Sequence, residues 1–315
     1  MFMKQNRRKF LKKLFTGGIT LSFFPGILSR LYGESNSALN HKPNINEWNN
    51  YNIRIAWLGH SSMLIKFYDK WILTDPVLHN RVGVYFMGSS IGPSRLTPPA
   101  LTIDELPKPD IILLSHAHMD HTDYPTLRDI TNKYPNQIEV VVAYFTKDVI
   151  EDLPWKKITV LDWNDESVVS GIRVKANEVK HFGWRVPWEK DRSRGYIEDG
   201  RSYNCYVIEY KDKKILFGGD TADTNLLRPL KDENIDIALM PIGAYNPWTQ
   251  AHCNPEEALR MTSEIGAKVF IPMHCKTFKQ GSEPFDEPID WMNKSADKYG
   301  LKIGLDQIGQ TYIHV

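Results

Sequence analysis

Four side chains able to bind a metal fall within six residues, His116-Ala117-His118-Met119-Asp120-His121. Imidazole and carboxylate are donors that zinc and related divalent ions prefer, and His-x-His-x-Asp-His supplies enough of them for two neighbouring ions. The run follows directly on the apolar stretch Ile111-Ile112-Leu113-Leu114-Ser115, where a buried strand passes into a loop. On extended backbone alternate residues share a face, which lets His116 and His118 grip one ion together. The turn that follows swings Asp120 and His121 toward a second position. A polar loop of solvated histidines is the plainer alternative. Against it stands the gathering of three of only ten histidines into one window at a strand end.

The elements that must position this run read as follows. Ile53–Leu58, Met63–Phe67 and Trp71–Leu73 alternate as three antiparallel strands, with a turn at Asp69-Lys70. Residues Asn80 to Pro109 look irregular, punctuated by Gly83, Gly88, Gly92, Pro93, Pro98 and Pro99; a long structureless insertion in a compact enzyme is usually functional. Strands are expected at 111–115, 138–143, 157–161, 171–179, 202–210, 213–217, 235–240 and 268–271, with closing strands in 303–315. Helices are expected near 126–133, 146–152, 223–231 and 289–299. A further helix opens at Asn254-Pro255-Glu256-Glu257, where Asn caps, Pro takes the first turn and Glu257 reaches back; it should stop at Gly266. Strands early, then alternating β and α, suit an α+β fold of two mixed sheets with outer helices.

Composition narrows the partners. Residues 1–33 hold seven basic side chains and no acid; removing those seven from 39 leaves 32 basic against 38 acidic residues, a net charge of −6 on the rest. A mildly acidic body argues against nucleic acid as the main partner. The start, Asn6-Arg7-Arg8-Lys9-Phe10-Leu11-Lys12, resembles a twin-arginine export signal, and an apolar stretch from Leu14 to Leu28 follows, broken by Pro25-Gly26. The expected organisation is a targeting segment or membrane anchor over 1–33, a polar linker over 34–50 and a catalytic domain over 51–315, placing the protein in the periplasm or tethered to the membrane. A basic helix lying on the cytoplasmic membrane face is the alternative. Three cysteines, Cys205, Cys253 and Cys275, make no disulfide framework. Cys205 fits a strand core. Cys253 and Cys275 each follow a histidine and fit buried packing positions, with a mutual disulfide or a metal contact as rivals.

The His116–His121 motif resembles the metallo-β-lactamase superfamily, which carries further donors downstream, each on a loop after a strand. His181 follows the strand ending at Val179, Asp220 lies in Phe217-Gly218-Gly219-Asp220-Thr221, and His274 follows Val269–Met273. Taken singly, His181 reads equally as a hydrogen-bonded loop histidine and Asp220 as a turn residue. The resemblance implies a four-layer αββα sandwich. It also implies a first zinc held by His116, His118 and His181, a second held by Asp120, His121 and His274, and Asp220 bridging them. Iron or manganese suits the same donors. It places Asp75, at the end of the third strand, beneath the ligands, where a carboxylate would fix an imidazole tautomer; a turn before Pro76 is the alternative.

Finer strings resemble the N-acyl phosphatidylethanolamine-hydrolysing phospholipase D branch: Trp57-Leu58-Gly59-His60-Ser61-Ser62, Leu73-Thr74-Asp75-Pro76, Pro241–Tyr245, His252–Ala258 and His274-Cys275-Lys276-Thr277-Phe278. Two metals imply a bound hydroxide at neutral pH. The implied reaction is cleavage of a phosphodiester in a phospholipid, with Asp120 and His252 as catalytic candidates. His60 and Tyr245 are candidates for lining the pocket or meeting a phosphate. A lactonase or carboxylic-ester hydrolase on the same metals is the second reading, and a non-catalytic metal-binding or redox protein the third. Independent of the resemblance, Val82, Val84, Tyr85, Phe86, Met87 and Ile91 crowd the irregular insertion, and His181-Phe182-Gly183-Trp184-Arg185-Val186-Pro187-Trp188 sets aromatics beside a candidate ligand. These suit a groove or lip for an amphiphilic substrate, or loop packing. Arg185, Arg192, Arg194 and Arg201 lie in the same connection and suit a phosphate contact, or solvent.

Overall fold

The computed structural model describes residues 39–48 and 52–314. The targeting segment expected over 1–33 lies outside the described residues, as do residues 34–38 and 49–50 of the linker. Among the described residues no helix is long and apolar enough to cross a membrane.

Among the described residues, sixteen strands form two large sheets and a small ribbon. In chain order they are β1 Ile53–Gly59, β2 Ser62–Phe67, β3 Lys70–Thr74, β4 Val84–Phe86, β5 Ser89–Ile91, β6 Ile111–Leu114, β7 Glu139–Ala143 and β8 Lys157–Leu161. There follow β9 Glu166–Val169, β10 Ile172–Glu178, β11 Asn204–Tyr210, β12 Lys213–Phe217, β13 Ile237–Pro241, β14 Val269–Met273, β15 Lys302–Ile303 and β16 Thr311–His314. The first sheet runs β16-β1-β2-β3-β6-β7-β8 and the second β15-β14-β13-β12-β11-β10-β9. Each is antiparallel on one side and parallel on the other: β3, β6, β7 and β8 run parallel in the first sheet, β12, β13, β14 and β15 in the second.

The sequence periods explain this division. Residues of β6, β7, β13 and β14 are all buried, as strands covered on both faces must be, and apart from Glu139 at the start of β7 they read as apolar runs. β10 instead buries Ile172, Val174 and Ala176 and leaves Arg173 and Lys175 half-buried, the two-residue alternation of a sheet with one wetter face. Large apolar side chains from both sheets, among them Trp57, Phe67, Phe217 and Phe270, join in one hydrophobic core. Helices α1 Tyr124–Lys133, α2 Pro255–Glu264 and α3 Glu287–Ser295 supply the outer layers of the αββα sandwich. α2 begins as its sequence dictates: the Asn254 side chain accepts from the Glu257 amide at 3.0 Å, and Glu257 accepts from the Asn254 amide at 2.9 Å.

Four local expectations are corrected. The segments 146–152 and 223–231 hold short 3-10 turns, Lys147–Val149 and Arg228–Glu233, in place of α-helices. The first is too short to nucleate and runs into Pro154; in the second Pro229 removes an amide donor where a helix would need it. β9 was not foreseen, nor was the β4–β5 hairpin inside the supposedly irregular insertion. The hairpin turns at Met87-Gly88, both with positive φ (48° and 85°), the geometry of a tight two-residue turn. Cys205, Cys253 and Cys275 are unpaired and buried.

Candidate metal centre

The carboxyl ends of the central strands face one edge of the sandwich, and all the candidate donors stand just beyond them. His60 follows β1, Asp75 follows β3, and His116–His121 follow β6. His181 follows β10, Asp220 follows β12, His252 lies between β13 and α2, and His274 follows β14. Backbone bonds stitch the two sheets together at this edge: the Asn204 amide donates to Ser115 O at 2.9 Å and the His274 amide to His60 O at 3.1 Å. Gly219 permits the closest approach. Its φ is +57°, and a Cβ there would lie 2.6 Å from Asn204 O and 2.9 Å from Ser115 Cβ.

Two nests of donor atoms result, each with atoms mutually within 4.8 Å. His116, His118 and His181 form one; His60, Asp120, His121 and His274 form the other. Asp220 stands between: its Oδ2 is 3.0 Å from His121 Nε2, 3.0 Å from His274 Nε2, and 3.8 Å from both His181 Nε2 and His252 Nδ1.

Hydrogen bonds from outside the cavity set the imidazole tautomers. His121 Nδ1 donates to Asp75 Oδ2 at 2.6 Å, and His181 Nδ1 donates to Ala251 O at 2.8 Å. Ser115 Oγ donates to Asp75 Oδ2 at 2.5 Å, so its oxygen accepts from His116 Nδ1 at 2.9 Å. The rings of His116 and His181 therefore turn an unprotonated Nε2 inward, and that of His121 turns its Nε2 toward Asp220. His116 Nε2 and His181 Nε2 both face His118 Nδ1, at 2.8 and 3.3 Å. Three imidazole nitrogens converging on one point need a shared proton or a cation between them.

The donor set fits metal on two counts. Buried polar atoms normally find hydrogen-bond partners, yet His118 Nε2, His252 Nδ1, His274 Nδ1 and Asp220 Oδ1 have none, and His121 Nε2 and His274 Nε2 meet Asp220 Oδ2 as ion pairs without hydrogen-bond geometry. Charge balance points the same way. Burial pushes His118, His181, His252 and His60 down to about 3 and His116 well below its ordinary value, so these rings are neutral and offer lone pairs. Burial alone would also lower His121 and His274, but Asp220 and Asp120 outweigh it, raising His121 well above the usual imidazole range and His274 to about 9. Burial would raise Asp120 and Asp220; His121 beside both holds them well below the usual carboxylate range. Two imidazolium protons thus neutralise two carboxylates, and divalent cations would take the place of those protons.

Other residues depart from their sequence readings. His60 Nε2 lies 3.0 Å from Asp120 Oδ2, buried within the second nest and no simple lining residue. Gln280, which no sequence signal picked out, donates from Nε2 to the same Asp120 oxygen at 2.5 Å. Tyr245 gives its hydroxyl to Glu287 Oε1 at 2.6 Å, so it braces α3 and its hydroxyl is not offered to a phosphate. The four arginines are also committed. Arg185 is turned inward, donating to Ala117 O and Thr122 O on either side of the ligand run. Arg201 pairs with Asp148 and Glu189, Arg192 with Asp162, and Arg194 donates to Pro187 O over the Trp184 ring.

Fold and site together define a metal-dependent hydrolase of the metallo-β-lactamase superfamily. The chain belongs to the β-lactamase superfamily domain family, whose model matches residues 70–275. It is 27% identical over 274 residues to an uncharacterized protein of Mycobacterium tuberculosis, covering 85% of this chain and 70% of that one. It is 29% identical over 263 residues to N-acyl-phosphatidylethanolamine-hydrolyzing phospholipase D 1 of Caenorhabditis elegans, covering 77% of this chain and 69% of that one. Among solved structures, Igni18, a metallo hydrolase of Ignicoccus hospitalis, shares the fold with a TM-score of 0.62 at 16% identity, over 84% of this chain and 99% of that one.

Proposed function

We infer that the protein is a phosphodiesterase of the phospholipase D type, acting on N-acyl phosphatidylethanolamine or a related phospholipid with two divalent cations. The observation that carries the metal assignment is the convergence of buried nitrogens and oxygens, several without a hydrogen bond, on two nests with Asp220 between them. Likeness to the worm phospholipase D over 77% of the chain supports the substrate class. His116, His118 and His181 would hold one ion, Asp120, His121 and His274 the other, with Asp220 between them. Zinc suits these donors, as do iron and manganese. When bound, such a pair lowers the pKa of water to about 7 and stabilises charge on phosphoryl oxygens.

The chain's own residues prepare the reaction. Asp75, Ser115 and Ala251 O keep three imidazoles in the tautomer with Nε2 inward. His60 and Gln280 orient Asp120, whose ionised Oδ2 accepts hydrogen from the attacking water. His252, neutral and at the same cavity, contacts the departing alcohol oxygen. Water adds across the P–O bond: hydroxyl goes to phosphorus, hydrogen to the alcohol, leaving phosphatidic acid and an N-acylethanolamine. The basic, apolar start of the chain supports export by the twin-arginine route, which fractionation of cells expressing the full chain tests.

The deciding experiment is hydrolysis of a phosphodiester panel that includes N-acyl phosphatidylethanolamine, with products identified by mass and with chelated enzyme as control. Phosphatidic acid plus an N-acylethanolamine, lost on chelation, is expected. Hydroxy acids from lactones, with intact phosphodiesters, would overturn the phosphodiesterase reading in favour of the ester hydrolase.

A further inference from the structure

The β4–β5 hairpin belongs to neither large sheet. Pairs Val84↔Ile91, Tyr85↔Ser90 and Phe86↔Ser89 alternate across it. One face therefore carries Val84, Phe86 and Ile91, with Met87 at the tip. All four side chains are between 49% and 89% exposed, a concentration of apolar surface that a soluble protein rarely leaves in water without use. Tyr85, on the other face, turns toward α1: its ring lies 5.8 Å from that of Tyr124, and its hydroxyl accepts from Arg128.

The hairpin is held in place at its base. A Cβ at Gly83 would lie 2.1 Å from Ile91 O, and one at Gly92 2.1 Å from Val82 O, so the two chains can close into this neck only as glycines. Below the neck Val82 packs with Val77 and Phe278 in a small separate cluster, and the Phe278 ring lies 5.4 Å from that of His60. The apolar face is thus fixed to the wall of the metal centre.

Beneath the hairpin, against the first turns of α1, lies a cleft of about 220 Å³ lined by His79, Arg81, Tyr85, Ser89, Ser90 and Arg128, among other residues. Its lining has two guanidinium groups, several hydroxyls and no carboxylate. The acid beside it, Asp129, takes Arg128 Nε and Nη2 at 2.9 and 2.8 Å and faces His79 at 3.1 Å, so the net positive charge of the cleft is that of Arg81. Arg81 spends one nitrogen on Gly92 O. Donors and positive charge next to exposed apolar side chains match the two layers of an anionic membrane surface: phosphate above, acyl chains below.

We propose that the hairpin is a membrane-docking element: Val84, Phe86, Met87 and Ile91 enter the outer acyl region, and the cleft between hairpin and α1 receives the phosphate of an anionic phospholipid. The surface is independent of the reaction assigned above, and its test needs no turnover.

The full chain carrying Met87→Cys, labelled there with an environment-sensitive fluorophore, is mixed with vesicles; the three native cysteines are buried, which directs the label to position 87. A blue-shifted, brighter emission is expected with phosphatidylglycerol–phosphatidylcholine vesicles, at concentrations about tenfold lower than with phosphatidylcholine alone. Arg81→Ala with Arg128→Ala should abolish that tenfold preference. Phe86→Ser with Ile91→Ser should weaken binding to both vesicles by on the order of tenfold. Label emission that stays water-like while the protein sediments with vesicles would overturn the proposal, because another segment would then be binding. So would a shift that appears without vesicles and grows with protein concentration, which would mark the face as a contact between two copies of the chain.

Discussion

The two sheets reach one cavity by opposite routes. The first delivers His116, His118, Asp120 and His121 from a single loop after β6. The second delivers one donor per strand: His181 after β10, Asp220 after β12 and His274 after β14. The loop of the first sheet is shaped by short connections, such as Thr122 Oγ donating to His116 O at 2.7 Å. The donors of the second sheet meet because β12, β13 and β14 keep parallel register and β10 reaches β12 through the antiparallel β11. A compact loop can hold its own geometry; scattered donors depend on the whole sheet. Asp220 is where the two routes converge, and substitutions there separate them most sharply.

Asp220→Ala should have the largest effect. Its carboxylate faces both nests, so metal content should fall from the proposed two ions per chain to below one, with turnover at background. His118→Ala should empty only its own nest and leave about one ion, while also abolishing turnover. Metal analysis of both variants beside their activities checks this; equal metal loss in the two would remove the distinction between the nests.

Next in size is Asp75→Asn. The carboxylate accepts from His121 Nδ1 and Ser115 Oγ on Oδ2 and from the Ser115 amide on Oδ1; an amide has one accepting oxygen and cannot serve both positions, and loss of such a support costs about 10- to 100-fold in metal affinity or activity. Competition with a chelator would measure it, and unchanged affinity would show that the first sheet's loop needs no support from below.

Arg185→Met probes a side-chain brace that crosses between the routes, since this side chain leaves the loop after β10 to hold the loop after β6. Two buried carbonyls would lose their donor, a loss of about 1–3 kcal/mol in stability. Denaturant midpoints of the metal-free protein should register it.

The smallest effect is expected at Glu233, which ties β10 to β12 through Lys175 at 2.7 Å and Lys214 at 2.9 Å. Hydrogen bonds from these lysines hold its carboxyl at about 2, below the ordinary 4.5. Its stabilisation is therefore complete above pH 4.5 and disappears as pH falls toward 2. Glu233→Gln should cost roughly 1 kcal/mol at pH 7 and nothing near pH 2, read from the difference in melting temperature across that range.

The contrast between the sheets also decides what the sequence discloses. The first sheet's loop is legible because its donors are adjacent and follow an apolar run. His181, Asp220 and His274 are each ordinary alone, and only a family resemblance joins them. Strands such as β8 and β12 fall where their apolar patterns put them, whereas β4, β5 and β9 are too short to leave a period. Side-chain commitments were hidden most deeply. Arg185 finds its carbonyls 68 and 63 residues away, Tyr245 finds Glu287 42 residues on, and Gln280 meets Asp120 across 160 residues. No local pattern encodes partners at such separations.

The carboxylate of Asp75 takes a hydrogen from His121 and, through Ser115, settles the hydrogen of His116. One carboxyl group outside the cavity thereby keeps a candidate ligand of each nest in step. A population of these molecules should divide into those ready for both ions and those ready for neither, with few in between. Calorimetric titration with metal would then trace a single transition where two independent sites would trace two.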